Sequence, residues 1–402
     1  MHEQQIDILI VGGGLTGATL MLALADSGYS TMLVETHAFS ERSNADFDGR
    51  TLALSPATAR ILNQLKLWPL LEKTATPIDM IHVSQQGCFG QARLKPDENG
   101  ALGYVVEMHN INRALHQLLP LEKIKAPAKL IALDESHQLA TIDCNGETQQ
   151  WRARLIVAAD GLNSTVRQLS GMKVDVKDYS QQALIANIGL ARAHGNQAYE
   201  RFTRSGPMAL LPLSQQRASL VWALPPAEST RLQTLGEVEF LKALQQAFGY
   251  KLGRFIKVGK RQVFPLRQAI MPRQTAWPLV FVGNAAHNLH PVAGQGFNLG
   301  LRDVASLAQC IMQHGLNPQM LEDYRTMRRY DQAVISRFTD TLVELFTSKV
   351  PGLSLARSVG LMAMDNLSFM QKILTRHAGG FSGVLPDLVC GIALTPGEPN
   401  HG

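Results

Sequence analysis

The chain has 402 residues, of which 45% are hydrophobic and 18% charged, and its net charge is +5. This length predicts more than one domain, and the composition is typical of a soluble globular protein. The basic cluster at 325–329 shares its segment with Glu322 and Asp323, which argues against a nucleic-acid partner. The four cysteines show no metal-binding spacing, so we expect free thiols in a reducing compartment and no metal site.

The first βα turn is the most informative stretch. An apolar strand at 6–11 runs into glycines at 12, 14 and 17, the Gly-x-Gly-x-x-Gly spacing, and a helical segment follows. Gly12 permits an unusual backbone turn, Gly14 lets a pyrophosphate approach the backbone, and Gly17 lets the helix pack on the strand. Glu35 ends the next apolar strand, where an acid that binds a ribose hydroxyl is expected. Together these features predict a dinucleotide site.

The charge-free run at 8–25 is long enough to resemble a membrane span or a signal peptide. It contains four glycines and no Lys or Arg precedes it, so the dinucleotide turn explains it better. We therefore expect a cytoplasmic protein without a transmembrane span, and we leave peripheral contact with a membrane open.

The next predicted elements follow in chain order. Ser55 and Pro56 are typical of a helix start, and strand-like alternation covers much of 78–107. Asn110 is expected to cap a helix. The Asn145-Gly146 pair marks a turn between two strands within 128–158.

From residue 181 the pattern changes to successive strands, which indicates a second domain that continues to about 274. An apolar strand then returns at 279–282, and helices are expected from about 296 and over 320–347. Pro351 is expected to end the second of these helices. The tail from 380 is rich in Gly and Pro and is expected to be loose.

Two later stretches place polar residues directly after apolar strands. Asp160 and Gly161 follow one strand, and Gly283 and Asn284 follow another. Open α/β sheets bind ligands at the carboxyl ends of their strands. A glycine-rich loop over 291–300 then leads into a helix, whose N-terminus is a second place to bind an anion.

These three stretches, in this order, resemble those of the class A flavoprotein monooxygenases with the p-hydroxybenzoate hydroxylase fold. The resemblance implies an α/β protein in which a Rossmann-type FAD-binding domain is interleaved with an antiparallel-sheet substrate domain. The expected ranges are 1–77, 104–178 and 275–345 for the FAD-binding domain, 78–103 and 179–274 for the substrate domain, and 346–402 for C-terminal helices and a tail.

The runs at 47–54, 206–213 and 294–303 narrow the resemblance to the ubiquinone-biosynthesis hydroxylases. It implies that FAD, NAD(P)H and O2 serve to hydroxylate the ring of a prenylated phenol through a flavin C4a-hydroperoxide. The expected substrate is 2-octaprenyl-6-methoxyphenol, and other ubiquinone-biosynthesis proteins are possible partners. An FAD-dependent reductase of prenyl double bonds, or a hydroxylase acting at another ring position, is the alternative.

The same resemblance implies a set of cofactor-binding residues. Asn284 stands where the family usually has an aspartate, and its amide can still hydrogen-bond the ribitol without a charge. The full set is Gly12, Gly14, Gly17, Glu35, Arg50, Arg113, Asp160, Gly161, Gly283, Asn284, Pro291, Gly294, Gln295, Gly296 and Asn298.

The sequence is less informative about substrate and catalysis. His287 and His290 flank the glycine-rich loop and are weak candidates for acid–base residues, because hydrogen bonds that fix the loop are the more natural role for each. Two apolar stretches are candidate pocket walls, with ordinary core packing as the alternative. Their residues are Met208, Leu210, Leu211, Pro212, Phe264 and Pro265.

Two apolar stripes near the C-terminus have two interpretations. They either pack against the FAD-binding domain or form a face for a membrane or a partner protein. The first stripe is Phe338, Leu342, Leu345 and Phe346, and the second is Leu355, Val359 and Met362.

Overall fold

A computed structural model describes residues 3–38, 50–96, 100–214, 216–290, 292–347 and 353–395. Its helices, numbered in chain order, are α1 (Leu15–Ala23), α2 (Pro56–Gln64), α3 (Trp68–Leu71), α4 (Met108–Leu118), α5 (Thr165–Leu169), α6 (Pro226–Thr234), α7 (Glu237–Phe248), α8 (Gln295–His314), α9 (Pro318–Thr347), α10 (Leu353–Asn366), α11 (Ser368–Ala378) and α12 (Asp387–Cys390). Its strands are β1 (Glu3–Val11), β2 (Thr31–Val34), β3 (Thr51–Leu54), β4 (Thr76–Pro77), β5 (Met80–Gln85), β6 (Gln91–Leu94), β7 (Tyr104–Glu107), β8 (Ile124–Lys125), β9 (Lys129–Asp134), β10 (Leu139–Cys144), β11 (Glu147–Ala158), β12 (Asp175–Leu190), β13 (Gln197–Phe202), β14 (Pro207–Leu213), β15 (Arg217–Leu224), β16 (Phe255–Val258), β17 (Gln262–Ile270), β18 (Thr275–Ala276), β19 (Leu279–Phe281) and β20 (His287–Asn288).

The first sheet has the strand order β18-β19-β11-β1-β2-β8, and β10 and β9 extend it from β11. Strands β19, β11, β1, β2 and β8 run parallel to one another. Ile8 and Ile10 of β1 belong to the core on one face, whereas Leu9 and Val11 belong to the core on the other. A strand that is covered on both faces has a continuous apolar sequence, which explains the apolar run at 8–11 in the second half of β1. The parallel arrangement brings the carboxyl ends of β1, β11 and β19 to one edge.

The second sheet has the order β20-β17-β12-β15-β14-β13-β5-β6, with β16 beside β12. It is antiparallel except where β13 runs parallel to β5. One face packs on α6 and α7 through residues such as Leu184, Leu220 and Phe240. A small sheet, β3-β7-β4, connects the two large ones. Its contact with the second sheet is partly polar, since Thr51 Oγ1 donates to Ser219 Oγ at 2.7 Å and Arg217 pairs with Glu107 at 3.2 Å. It is also partly apolar, since Val105 packs with Ala198 and Leu213.

The C-terminal helices cover both domains. Helix α8 packs on α1 and α9, and α10 lies against β6, where Arg93 and Asp365 form an ion pair at 2.8 Å. Short helix α12 packs on α2 and α8, with Leu388 and Val389 buried. The prediction of a loose tail from 380 is therefore wrong up to this helix, because two apolar side chains hold the segment on the core.

Local predictions had mixed outcomes. The helix start at Ser55 is confirmed, since its Oγ accepts a hydrogen bond from the Thr58 N–H at 3.2 Å. The turn at Asn145-Gly146 is confirmed by positive φ angles at both residues. The Asn110 cap is wrong, because α4 already begins at Met108, whose N–H donates to the carbonyl of Arg50. Pro351 lies outside the described residues.

We expect Leu388→Ala to lower the free energy of unfolding by about 2–4 kcal/mol, because it removes a buried side chain that anchors α12. Urea denaturation measures this change. Ile392→Ala is the control, since Ile392 is 56% exposed and should have little effect. Equal effects of the two substitutions would show that α12 does not stabilise the core.

Candidate functional site

A cavity of about 940 Å³ lies where the two large sheets meet the C-terminal helices. Its volume is in the range of sites that bind large organic ligands. One end is walled by the turn after β1, by β3 and by the first turn of α8. The other end is walled by the second sheet and by α9, α10 and α11. One cavity thus joins the predicted cofactor motifs to the predicted substrate domain.

The glycine turn has the geometry that its spacing predicts. Gly12 has φ +106°, and a Cβ there would lie 2.5 Å from the carbonyl oxygen of Ala159. A Cβ on Gly17 would overlap the carbonyl oxygen of Gly12. Gly14 is different, since a Cβ on it would meet no described atom within 4 Å, and it lines the cavity. Gly12 and Gly17 therefore allow close packing, whereas Gly14 leaves space.

Glu35 lies beside this turn, at the end of β2. Its Oε2 accepts a hydrogen bond from the Gly13 N–H at 2.7 Å, and its Oε1 accepts one from the His37 N–H at 3.0 Å. The residue is only 6% exposed. These bonds hold an acceptor at the position expected for a ribose ligand.

The first turn of α8 faces the cavity. Gly294 has a left-handed φ of +61°, and Gln295, Gly296 and Phe297 follow it in the wall. The first N–H groups of a helix have no partner within the helix, and they carry its positive dipole end. The side chain of Gln295 donates to the carbonyl of Ala378 at 3.3 Å, which connects this turn to α11.

Asn298 fixes the same turn to β3 and α2. Its Nδ2 donates to the carbonyls of Ala53 and Gly294 at 3.0 and 2.7 Å. Its Oδ1 accepts from the Ser55 N–H and the Thr58 hydroxyl, both at 2.8 Å. Since these four bonds use the donors and acceptors of the amide, Asn298 acts as a structural clamp of the cavity wall.

Gly161, directly after Asp160, forms a second part of this wall. Asp160 Oδ2 accepts from the Thr165 N–H at 2.6 Å at the start of α5, and Gly161 has φ +83° and lines the cavity. Arg167 donates to the carbonyls of Leu162 and Ala285, the latter at 2.8 Å. The turns after β11 and β19 are thereby joined.

The turn after β19 depends on Asp303 of α8. The Gly283 N–H donates to Asp303 Oδ2 at 3.1 Å, and Asn284 is exposed in the cavity wall. Asp303 also accepts from Arg328 Nε at 2.8 Å and is fully buried. Burial opposes its ionisation, but the positive charge of Arg328 and the hydrogen bonds with His287 and Arg328 outweigh burial and hold the pKa of Asp303 far below its ordinary value.

The two histidines do not reach the cavity. His287 Nε2 hydrogen-bonds Asp303 at 2.5 Å, and His290 Nδ1 accepts from the Val292 N–H at 3.2 Å. Each is 1% exposed and neither lines the wall. Burial lowers the pKa of His290 to about 4, so that it is neutral at pH 7. The structure thus places both histidines in loop-fixing contacts and corrects their candidacy as acid–base residues.

Two predicted cofactor residues lie away from the cavity, and a third is not among the described residues. The side chains of Arg50 and Arg113 are exposed and are not part of the cavity wall. Pro291 lies outside the described residues, as do the two residues before Arg50. The roles assigned to these three residues remain predictions.

The predicted pocket walls need correction. Leu211 lines the cavity together with Ala209, whereas Met208 and Leu210 pack on the opposite face of β14 against the core with α6 and α7. Side chains alternate between the faces of a strand, so a continuous apolar run cannot all line one pocket. The other corrections are Pro212, which is buried away from the cavity, and Phe264 and Pro265, which are exposed on β17.

Two features of the wall escaped the sequence analysis. Glu200 of β13 lines the cavity between apolar neighbours, and the only available signal was one acid in an otherwise apolar face. Phe338, Leu342 and Leu345 of α9 line the far end, so the first C-terminal stripe faces a cavity. The side chain of Phe346 lies outside the described residues.

The described residues hold neither a metal-binding group nor a membrane-spanning helix. They contain no group of three or more His, Cys, Asp or Glu arranged to hold a metal ion. None of the helices in these ranges combines the length and apolar character needed to cross a membrane.

Comparison with known proteins agrees with this geometry. Residues 5–338 match the FAD binding domain family. The chain is 36% identical to the ubiquinone hydroxylase UbiL of Rhodospirillum rubrum, over 94% of this chain and 90% of UbiL. It is 31% identical to the 3-demethoxyubiquinol 3-hydroxylase of Escherichia coli K12, over 94% of this chain and all of that protein.

Solved structures confirm the predicted fold. The p-nitrophenol 4-monooxygenase PnpA of Pseudomonas putida superposes with a TM-score of 0.74 at 19% identity, over 94% of this chain and 98% of PnpA. Family, fold and site geometry all agree. The chain belongs to the FAD-binding-domain family and, within it, to the FAD-dependent hydroxylases that include the ubiquinone hydroxylase of Rhodospirillum rubrum.

Proposed function

We propose that this protein hydroxylates the aromatic ring of a prenylated phenol in ubiquinone biosynthesis, with NAD(P)H as electron donor and O2 as co-substrate. The observation that carries the proposal is the continuity of the cavity from the predicted FAD motifs into an apolar chamber. The proposed substrate is 2-octaprenyl-6-methoxyphenol. The name of the Escherichia coli relative specifies position 3 of demethoxyubiquinol, which supports the alternative of another ring position.

The residues of the cavity suit FAD. The open space at Gly14 and Gly296 leaves room for phosphate and ring atoms, since a Cβ at either glycine would meet no described atom within 4 Å. Glu35 would bind the ribose, Asn284 the ribitol, and the N-terminus of α8 the electron-rich edge of the flavin. Reduced FAD activates O2 and supplies the oxygen atom that is transferred.

The chain contributes binding, orientation and exclusion of water. The far chamber is walled by apolar side chains from both the second sheet and the helices, among them Ile185, Leu211 and Leu361. An apolar wall excludes water from an oxygen-transfer step, which would otherwise release peroxide. The same wall suits a prenyl chain attached to the ring.

Helices α10 and α11 present what we name the outer apolar face, formed by Leu355, Val359, Met362, Leu367 and Phe369. These side chains are 45–72% exposed. The inner side of α10 lines the cavity through Leu361 and Met364. We propose that this face contacts the membrane that dissolves the prenyl tail, because exposed apolar helix surfaces partition into lipid headgroup regions.

Labelled O2 tests the reaction. The purified protein, supplied with FAD, NAD(P)H and 2-octaprenyl-6-methoxyphenol, should produce a phenol that has gained one labelled oxygen atom. Mass spectrometry of the product measures this, and comparison of NADH with NADPH identifies the donor. Anaerobic turnover that saturates a prenyl double bond would instead support the reductase alternative and contradict the proposal.

Gly14→Ala tests FAD binding by a substitution that should not affect folding. Gly14 has φ −65° and open space at its Cβ, so alanine should leave the thermal stability of the apoprotein unchanged. The methyl group should still weaken FAD binding at least tenfold, or about 1.4 kcal/mol, by filling space needed by the pyrophosphate. Titration of flavin fluorescence measures the affinity.

Gly17→Ala is the matched contrast, because its methyl group would overlap the Gly12 carbonyl and should destabilise the turn itself. A Gly14→Ala protein that binds FAD as tightly as the wild type would contradict the placement of the pyrophosphate.

Charging the outer apolar face tests membrane contact. Leu355→Asp with Val359→Asp should lower binding to phospholipid vesicles at least about tenfold, since each buried aliphatic side chain contributes roughly 1.5–3 kcal/mol. Vesicle flotation measures the binding. Val176→Asp with Ile256→Asp is the matched control, because both side chains are about equally exposed, at 59% and 60%, on the second sheet. Equal binding by both variants and the wild type would exclude the outer apolar face as the contact.

A further inference from the structure

Glu200 places a carboxyl group in the apolar wall of the cavity. Along β13, Ala198, Glu200 and Phe202 line the cavity, whereas Arg201 points to the other face and donates to the carbonyl of Ala247. The paired residues of Glu200 on the two neighbouring strands are Val83 and Ala209, which also line the cavity. The carboxyl group is therefore surrounded by hydrocarbon on its own sheet.

The described residues offer Glu200 no hydrogen bond or ion pair for its side chain. The other charged side chain in the described wall is that of Arg357 on α10. Tyr199 borders the cavity beside Glu200, but its ring packs against Phe248 in the core on the other face of β13, and its hydroxyl donates to Gln197 Oε1 at 2.7 Å. Among the described side chains of α9, those that line the cavity are the apolar Phe338, Leu342 and Leu345. A carboxyl group without a partner in an apolar wall reduces stability, so its natural partner is a group that the cavity binds.

We propose that Glu200 hydrogen-bonds the ring hydroxyl of the phenolic substrate and accepts its proton while the ring is oxygenated. This inference rests on the function proposed above. The proton moves from the phenol oxygen to the carboxylate, and the O–H electron pair stays on that oxygen and enriches the ring. The ring carbon that receives one oxygen atom of O2 then loses its hydrogen as a proton, and the other oxygen atom leaves as water with the two electrons that NAD(P)H supplies. Glu200 returns its proton to the original oxygen, so the carboxylate is restored.

The environment of Glu200 suits this role. Burial raises the pKa of Glu200 to about 7. A free phenol has a pKa of about 10, and an ordinary carboxylate is too weak a base to draw its proton efficiently. Raising the pKa of the carboxyl group reduces the difference between its pKa and that of the phenol. A substantial fraction of the carboxyl group is still ionised at neutral pH.

Glu200→Gln tests the inference, because glutamine keeps the shape and removes the base. In the wild type the hydroxylation rate should fall as the pH drops through about 7, since the protonated acid cannot accept a proton. At neutral pH the variant should be about 10²–10³-fold slower. Its rate should also rise only toward the higher pH at which the phenol itself ionises.

A binding measurement gives a readout that does not depend on turnover. A prenylated nitrophenol, whose phenolate is coloured, serves as the probe in the FAD-loaded protein. The bound probe should ionise at a pH at least one unit lower in Glu200→Gln than in the wild type, because the wild-type carboxylate accepts the hydrogen bond of the neutral phenol and its negative charge disfavours a phenolate beside it. Glu200→Asp keeps a carboxylate and should restore the wild-type pH midpoint. Glu122→Gln, at the surface, is the control for loss of a charge.

The outcomes separate the two proposals. Labelled oxygen in the product together with identical pH profiles and probe ionisation in Glu200→Gln and the wild type overturns the role of Glu200 alone. Glu200-dependent ionisation of the probe in a protein that hydroxylates no phenol supports the proton acceptor and contradicts the proposed function.

Discussion

A buried carboxylate, Asp303, holds together cavity walls that come from distant parts of the chain. It accepts hydrogen bonds from the Gly283 backbone and from Arg328, and it pairs with His287. Dehydrating these charges is unfavourable, and their mutual pairing compensates for it only in this geometry. Asp303 belongs to α8, whose first turn faces the predicted flavin, and Arg328 belongs to α9, whose later turns form the far wall. Both ends of the cavity therefore depend on one ion-pair cluster.

The parts of the site that could be predicted are those whose physical requirements are local. The glycine turn needs a strand, a tight turn and a helix in succession, and all three lie within residues 6–23. The Ser55 cap and the Asn145-Gly146 turn are equally local. The role of Asp303 could not be predicted from local sequence, since its partners lie 16 to 29 residues away and reach it only through tertiary packing.

The errors have a common cause, which is that burial depends on tertiary packing. His287 and His290 flank a glycine-rich loop and suggest acid–base chemistry, but packing leaves each only 1% exposed. The Gly/Pro-rich tail suggested disorder, yet Leu388 and Val389 complete the core beside α2 and α8. On β14 both faces are apolar, so alternation could not tell which face lines the cavity.

The two faces of the second sheet have different functions: one packs in the core, and the other lines the cavity. Leu184, Leu210 and Leu220 pack into the core with α6 and α7, whereas Ile185, Glu200 and Leu211 line the cavity. Because these sets alternate along the same strands, a change in one set leaves the side chains of the other in place. Substitutions on the cavity face can therefore change the shape of the cavity to fit another ring or prenyl chain without disturbing the core. We expect related enzymes with different substrate preferences to differ mainly on this face.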